Sequence, residues 1–497
     1  MNLVFKVNEN TKNFWATKSK SERKKIGQFF TDDQTALFMA GMFDFTNAPK
    51  KIRVLDPGAG TGILSAAFIE VAKKNKVKEI ELVLIENNDD VLPVLEENIQ
   101  LFSRVKGIKI SITLKKENFI IEQSVEFSMN LETIYGKFDY IICNPPYLKI
   151  PRNAEETLGM DLVILGAPNL YFLFMALGAH DLANKGQMVF IIPRSWTSGA
   201  YFKKFREYLF DSVRLDRVHL FSSRDKVFSI EKVLQETVIV KFSKEAVQNS
   251  NNVILTTSRD NNFLDIQELS ASYDTIIRGN NRYVFLPTTT EQVDLLQKID
   301  TFENTLPQLG LKLKTGLTVD FKNKDRLMKS EDDGTVPLVF SSNFDKGRIV
   351  FPNLKEEYQY VVATNGMKQE NKDYLFLKRL TSKEEVRRLQ PAIYLKEDID
   401  TEEISTDNKL NFIERLDKKP IDREIIYGLY VIFSSGFYDE YYRILNGSTQ
   451  VNATEINDMP IPDEEGLKKL GRQFEICQDY SQQIGDKLIE SLVGSYV

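Results

Sequence analysis

Val54-Leu55-Asp56-Pro57-Gly58-Ala59-Gly60-Thr61-Gly62-Ile63-Leu64 decides the fold. A short apolar strand, Ile52 to Leu55, breaks into a turn at Asp56-Pro57, and a helical pattern from Leu64 to Ala72 follows. Glycines at alternate positions let the backbone approach a ligand closely where a helix begins. The dinucleotide fingerprint G-x-G-x-x-G does not fit, since its last glycine falls on Ile63 or Ser65 in the two possible registers. No Lys-Ser/Thr pair follows at P-loop spacing either, so the loop is not built for a triphosphate.

Working outward, Glu81-Leu82-Val83-Leu84-Ile85-Glu86 is a second strand ending in a carboxylate, the position from which an acid holds a ribose in a doubly wound sheet. Further apolar runs lie at Ile108 to Leu114, Phe138 to Cys143, Met188 to Ile192, Val213 to Leu220 and Val238 to Phe242. They alternate with helical patterns at Val91 to Phe102, Tyr171 to Leu182 and Tyr201 to Leu209, which argues a largely parallel sheet. The run at Phe138 stops at Asn144-Pro145-Pro146-Tyr147, where two prolines remove two backbone donors and leave carbonyls for another partner. The Asn144 amide oxygen and the Pro145 carbonyl could each accept one N–H of an exocyclic amine, with the Tyr147 ring as a flat face. A Pro-rich turn with a packed tyrosine is the plainer alternative.

Taken in order, D-P-G-A-G-T-G, the strand-end Glu86 and N-P-P-Y resemble the S-adenosylmethionine-dependent DNA adenine-N6 methyltransferases with a TaqI-type fold. Gly27-Gln28-Phe29-Phe30-Thr31 resembles the N-terminal cofactor motif of the γ class, and Phe221 to Phe228 with Val233-Leu234-Gln235-Glu236-Thr237 resemble the segment bearing a second aromatic of the base pocket. In the C-terminal half, Thr315 to Phe321, Leu377 to Glu385 and Asn446 to Glu455 look like recognition domains of modification methylases that accompany PstI- and XhoI-type restriction enzymes. The resemblance implies a Rossmann-like S-adenosylmethionine-dependent methyltransferase domain of α/β class with a C-terminal α+β target-recognition domain. It implies the cofactor S-adenosylmethionine, with Asp56, Gly58 and Gly60 under its methionine part, Glu86 on its ribose and Thr31 at its carboxylate end. Asn144 belongs to the same set, and Phe119 packs the adenine. Where the family carries an acid before that phenylalanine, this chain has Asn118, whose oxygen could accept the same hydrogen bond without charge.

Chemical need supports the catalytic assignment. The N6 lone pair of adenine is delocalised, and two acceptors on the N6 hydrogens strengthen as positive charge develops on nitrogen. Asn144 and Pro145 are the expected acceptors, with Pro146 and Tyr147 completing the loop. A base inside a duplex must be flipped out, so Tyr147 is expected on one face and Phe228 on the other. Lys149, Arg152, Lys312 and Lys314 are basic candidates for DNA contact; Arg379, Asn446 and Thr449 lie in the segments that resemble recognition domains.

At 497 residues the chain exceeds one ordinary core. The expected division is a helical cofactor-lid segment over 1–50, with helices through Ser19-Lys20-Ser21-Glu22-Arg23 and Thr35 to Phe43, and a catalytic domain over 51–245. A connecting region over 246–285 and a recognition domain over 286–497 ending in a helix from Glu464 to Ile489 complete it. Net charge −6 lacks the basic footprint of a DNA binder, yet one electropositive cleft suffices, and an acidic outer surface reduces non-specific binding. Two cysteines exclude a disulfide framework and a zinc cluster, and no apolar run is long enough to span a bilayer. The expectation is a cytoplasmic, nucleoid-associated prokaryotic enzyme, a monomer or weak dimer without metal, whose partner is duplex DNA, with a companion restriction endonuclease acting on the same site as a further candidate. Alternatives are a release-factor glutamine-N5 methyltransferase, an RNA base methyltransferase and an idle DNA-binding specificity module.

Overall fold

A computed structural model describes residues 2–17, 31–222, 236–245, 252–353, 356–382, 384–477 and 479–494. They divide into two compact units, Met1–Thr288 and Thr289–Val497.

The first unit is built on a sheet of β1 (Lys51–Asp56), β2 (Glu79–Ile85), β3 (Lys109–Lys115), β4 (Phe138–Cys143), β5 (Leu182–Pro193), β6 (Arg214–Phe221), β7 (Thr237–Ser243), β8 (Asn252–Ser258) and β9 (Gln267–Ser272). Among the described residues their order is β3-β2-β1-β4-β5-β7-β6-β8-β9. β1 pairs in parallel with both β2 and β4, so the order reverses between them, and the carboxyl ends of β1 and β4 open on the switch point where such sheets bind ligands. Beyond β5 the sheet becomes mixed, because β7 runs antiparallel to both β5 and β6.

Strand alternation sorts the side chains to two faces. Ile52, Val54, Ile80, Leu82 and Leu84 share one core with α1 (Leu3–Ala16), α2 (Asp33–Gly41), α3 (Ile63–Lys74) and α4 (Leu92–Phe102). On the other face Phe190 of β5 lies against Gly178 of α5 (Leu170–Asp181), where an added Cβ would come within 3.1 Å of the ring. Every residue of α5 from Tyr171 to Asp181 is buried, which is why its sequence is apolar all round. α6 (Lys203–Ser212) packs on α5. Local chemistry sets the ends: the Asp32 carboxylate caps α2 by accepting the Thr35 amide, and Gly62 enters α3 at φ +83°, a conformation that favours glycine.

The seven strands read from the sequence are all present. The stretch from Ser243, expected to be a linker, instead adds β8 and β9 to the same sheet, and the first unit continues to Thr288. Val253 and Leu255 bury on β6's flank, whereas β9 is largely exposed and carries no apolar alternation. At the N-terminus the described helices are α1 and α2; Ser19 to Arg23 lie outside the described residues.

The second unit contains, among the described residues, a six-stranded and a five-stranded sheet. Its helix Thr290–Ile299 lies where the sequence placed it. The expected Glu464 to Ile489 helix is two, Glu464–Cys477 and Gln482–Val493. The first packs closely on Arg423–Ser434, with Gly428 against the Leu467 backbone and Gly471 against the Glu424 backbone, sites with no room for a Cβ. No helix of the described residues is long and apolar enough to cross a membrane.

Candidate active site

Two clefts open at the carboxyl ends of β1, β2 and β4. One is lined by Pro57, Gly58, Glu86, Asn118, Phe119 and Pro146, with Phe174 of α5. The other is lined by Trp15, Thr31, Gly58 to Thr61 and Asn144. Gly58 and Pro146 border both. The glycine turn and the N-P-P-Y loop, 86 positions apart at Gly58 and Asn144, thus meet as the strand order requires.

Glu86 is buried and organises the turn. Its Oε2 accepts the Gly60 amide at 2.8 Å, and its Oε1 accepts the amides of Asn87 at 3.0 Å and Asn88 at 2.9 Å. Gly60 has φ +54°, and a Cβ there would meet nothing within 4 Å, so the loop leaves open space facing the second cleft. Such a cradle of amides and glycines beside a carboxylate fits a zwitterionic, ribose-bearing ligand. Phe119 lies at the cleft wall, nearly parallel to Tyr135 with centroids 6.2 Å apart and tilted against Phe174 at 5.3 Å.

Asp56 stands apart. It is fully buried, lines neither cleft, and accepts the Ser65 hydroxyl at 2.7 Å. Burial pushes its carboxyl up to about 7, with the neighbouring Glu86 adding to the effect and Ser65 opposing it. A folded-state value above the unfolded one means the native protein keeps a proton that the unfolded chain releases, so stability falls as pH rises from about 4 to 7. Asp56→Asn is expected to flatten that dependence. Thermal melting from pH 5 to 8 should show the variant gaining on the wild type at the alkaline end by a few kcal/mol, on the order of the shift itself.

Asn118 is not poised as the sequence suggested. Its oxygen accepts the Ile120 amide at 3.0 Å, while its nitrogen lies 3.4 Å from Glu156 Oε1. The acceptor expected to face a ligand is already engaged in a local Asx-type bond.

In the N-P-P-Y loop, the Asn144 Nδ2 donates to Thr31 Oγ1 at 2.9 Å. The Tyr147 hydroxyl donates to the Ile191 carbonyl of β5 at 2.9 Å, and its ring meets Tyr171 edge-on at 6.3 Å. Tyr171 in turn shares a 3.0 Å hydrogen bond with Ser195. These two contacts hold the Tyr147 ring, which is half-buried against the core of the first unit. Pro145 is buried beneath it. Directly after this loop, the Leu170 and Ile150 amides donate to the Leu148 and Pro168 carbonyls at 2.9 Å each, so residues 149–169 form an excursion closed at its base. Lys149 is exposed on it; Arg152 is exposed too but pairs with Asp161 at 2.5 Å.

Trp15, which lines the second cleft, and Thr11, which bonds one of its lining residues, were not singled out from sequence. Trp15 closes it from α1, and Thr11 anchors that helix, its hydroxyl 2.8 Å from that of Thr61 in the glycine turn. The Val4, Val7, Thr11 spacing at the N-terminus was the available signal.

In the second unit, Lys312 is exposed, Lys314 pairs with Glu414, and the Arg379 guanidinium donates to the Asn408 carbonyl at 3.0 Å. Thr449 is exposed. Asn446 departs from expectation: it is 1% exposed, its nitrogen donates to Glu455 Oε2 at 2.5 Å and its oxygen accepts the Ser448 amide at 2.7 Å. It holds its own loop together and is not on the surface. Phe228 lies outside the described residues. Among the described residues no group of three or more His, Cys, Asp or Glu is arranged to hold a metal.

Fold and cleft define a Rossmann-like methyltransferase domain joined to a second α/β unit. Residues 51–228 match the family model of the Eco57I restriction-modification methylase. The chain is 32% identical over 486 residues to the type II methyltransferase M.BsuBI of Bacillus subtilis, covering 96% of this chain and 95% of that one. To the type II methyltransferase M.PstI of Providencia stuartii it is 30% identical, with the same coverage. Among solved structures, the type IIL restriction-modification enzyme MmeI in complex with DNA shares the fold at TM-score 0.52 and 12% identity, over 97% of this chain and 74% of that one. The chain belongs to the type II restriction-modification methyltransferases and is a site-specific DNA methyltransferase.

Proposed function

We propose that the enzyme transfers the methyl group of S-adenosylmethionine to N6 of an adenine flipped out of duplex DNA. The observation that carries this reading is Asn144, an amide lining the second cleft with its nitrogen bonded to Thr31 and the Tyr147 ring three residues on. The chemistry of the donor set fits the cofactor: Thr31, the Gly58 to Thr61 turn and Trp15 would hold the methionine part, Glu86 the ribose and Phe119 the adenine. When bound, S-adenosylmethionine supplies an electrophilic methyl group on a sulfonium.

This chain's residues do the rest. Tyr147 stacks on the extruded base, fixing its plane. Asn144 Oδ1 and the Pro145 carbonyl accept the two N6 hydrogens, which localises the nitrogen lone pair and stabilises the charge that develops as the carbon–nitrogen bond forms. Alignment of amine and methyl group reduces the entropic barrier by several kcal/mol. The proton then released from N6 passes to solvent. Phe228, whose flanking sequence resembles the base-pocket segment, is assigned the opposite face. Phe228→Ala is expected to weaken extrusion, read as a smaller fluorescence rise with 2-aminopurine at the target position; an unchanged rise would return the residue to a structural role. A companion endonuclease acting on the same DNA site fits the family's setting.

The deciding experiment incubates the protein with methyl-labelled S-adenosylmethionine and either duplex DNA, RNA or a peptide release factor, then maps the product. Label at adenine N6 in duplex DNA is expected. Label on cytosine, or absent from duplex DNA, overturns the reading.

A further inference from the structure

Thr31 does more than border a cleft. Its hydroxyl accepts the Asn144 nitrogen at 2.9 Å and so anchors that carboxamide, with the oxygen on the side away from Thr31. The orientation of Asn144 therefore depends on whatever fixes Thr31, the residue just before the cap of α2.

We propose that the turn between β8 and β9, through Asn261 and Phe263, positions Asn144 by way of Asp32 and Thr31; the proposal deepens the reading above and rests on it. Asp32 Oδ1 accepts the Thr35 amide at 2.9 Å and Oδ2 accepts the Thr35 hydroxyl at 2.8 Å. The same Oδ2 accepts Asn261 Nδ2 at 2.9 Å, across 229 positions of sequence. Two residues further on, Phe263 lies flat on Phe38 of α2, centroids 4.1 Å apart and planes 7° from parallel. Phe263 holds φ +53°, a costly conformation for a bulky residue, and the turn keeps it there.

Beneath the stack sits His219 of β6. Its ring is 4.6 Å from Phe38 and 5.3 Å from Phe263, and its nitrogens are bonded to Thr256 Oγ1 at 2.9 Å and Ser258 Oγ at 3.1 Å on β8. Ser258 Oγ donates in turn to the Asp260 carbonyl at 2.7 Å, where the turn starts. The sheet thus supplies a rigid floor, the stack fixes the face of α2, and Asn261 fixes its first residue. A cap and a ring stack could serve stability alone. What favours positioning is the point of attachment, since Asn261 bonds the carboxylate adjacent in sequence to Thr31, which accepts the Asn144 amide.

The test is a double-mutant comparison in single-turnover methylation of duplex DNA by the full chain. Asn261→Ala is expected to slow transfer by roughly 10- to 100-fold, the size of a small misplacement at the reacting centre. Cofactor affinity by calorimetry and KM for DNA should change little. Thr31→Val should also slow transfer, Thr31→Ser should restore most of it, and Asn261→Ala on top of Thr31→Val should add nothing. Phe263→Leu, which keeps apolar packing but loses the flat stack, provides the same readout if Asn261→Ala lowers the melting temperature markedly. Wild-type rates in both turn variants, or fully additive losses in the double variant, overturn the proposal. If Asn144→Ala itself retains transfer, the catalytic reading fails; if it is inactive while the turn variants are normal, only the positioning role fails.

Discussion

Asn144→Ala is expected to lower the rate of methyl transfer by about 10²- to 10³-fold, about 2.7–4 kcal/mol of transition-state stabilisation, while leaving cofactor binding largely intact. The asymmetry follows from geometry. The carboxamide sits where the second cleft meets the N-P-P-Y loop, whereas the walls of the first cleft, Glu86, Phe119 and Pro57, are contributed by other segments. An acceptor that strengthens only as charge appears on the attacking nitrogen acts on the chemical step and not on ground-state affinity. Single-turnover transfer and a calorimetric titration of S-adenosylmethionine separate the two. An equal loss of cofactor affinity would place Asn144 in the binding apparatus instead.

The second large effect is expected at Glu86, with the opposite signature. Glu86→Ala should weaken S-adenosylmethionine binding by about 100-fold or more, roughly 2.7 kcal/mol, and should lower the melting temperature of the free protein. Its carboxylate accepts three backbone amides, those of Gly60, Asn87 and Asn88. Hydrogen bonds to a charged group contribute about 1.5–3 kcal/mol each, and truncation leaves amide donors without a partner. The glycine turn, whose shape depends on the Gly60 amide, then loses its organiser. Glu86→Gln should recover part of the stability, since its oxygen still accepts, but less of the affinity, because the charge is gone. Affinity unchanged in the alanine variant would mean that the ribose is held elsewhere.

How far the sequence reaches is clearest where reading and structure part. Strands β1, β2, β4, β5 and β7 were legible because a strand buried on both faces is a continuous apolar run, and Val54-Leu55 or Ile141-Ile142-Cys143 admit few other readings, whereas β3 is apolar only at alternate positions, Ile110, Ile112 and Leu114. The meeting of Gly58 with Asn144 was legible too, since the topology of a doubly wound sheet brings those loops together. β8 and β9 were hidden. An Asn-rich approach masks Val253-Ile254-Leu255, and Gln267–Ser272 is an edge strand whose exposed residues have no need to be apolar. Asn118 and Asn446 mislead for a shared reason: a short carboxamide bonds its own backbone or a neighbour as readily as a ligand, and only coordinates show that Asn118 accepts from Ile120 and that Asn446 is spent on Glu455 and Ser448. Basic residues carry the same ambiguity, since Arg152 and Lys314 look alike in sequence whether they face phosphate or, as here, Asp161 and Glu414.

The hairpin of β8 and β9 also bears on how the catalytic half could be handled as a separate fragment. A truncation at residue 245, where the polar composition invites one, would strip β6 of its parallel neighbour and leave Arg217 to Phe221 as an open edge. Val218, Leu220 and Phe221 are buried there, so the cut would expose a sticky, unpaired strand of the kind that recruits other chains. The natural end of an autonomous first unit is Thr288. Residues 252–272, which read as spacer, are the selvedge that covers the edge of β6.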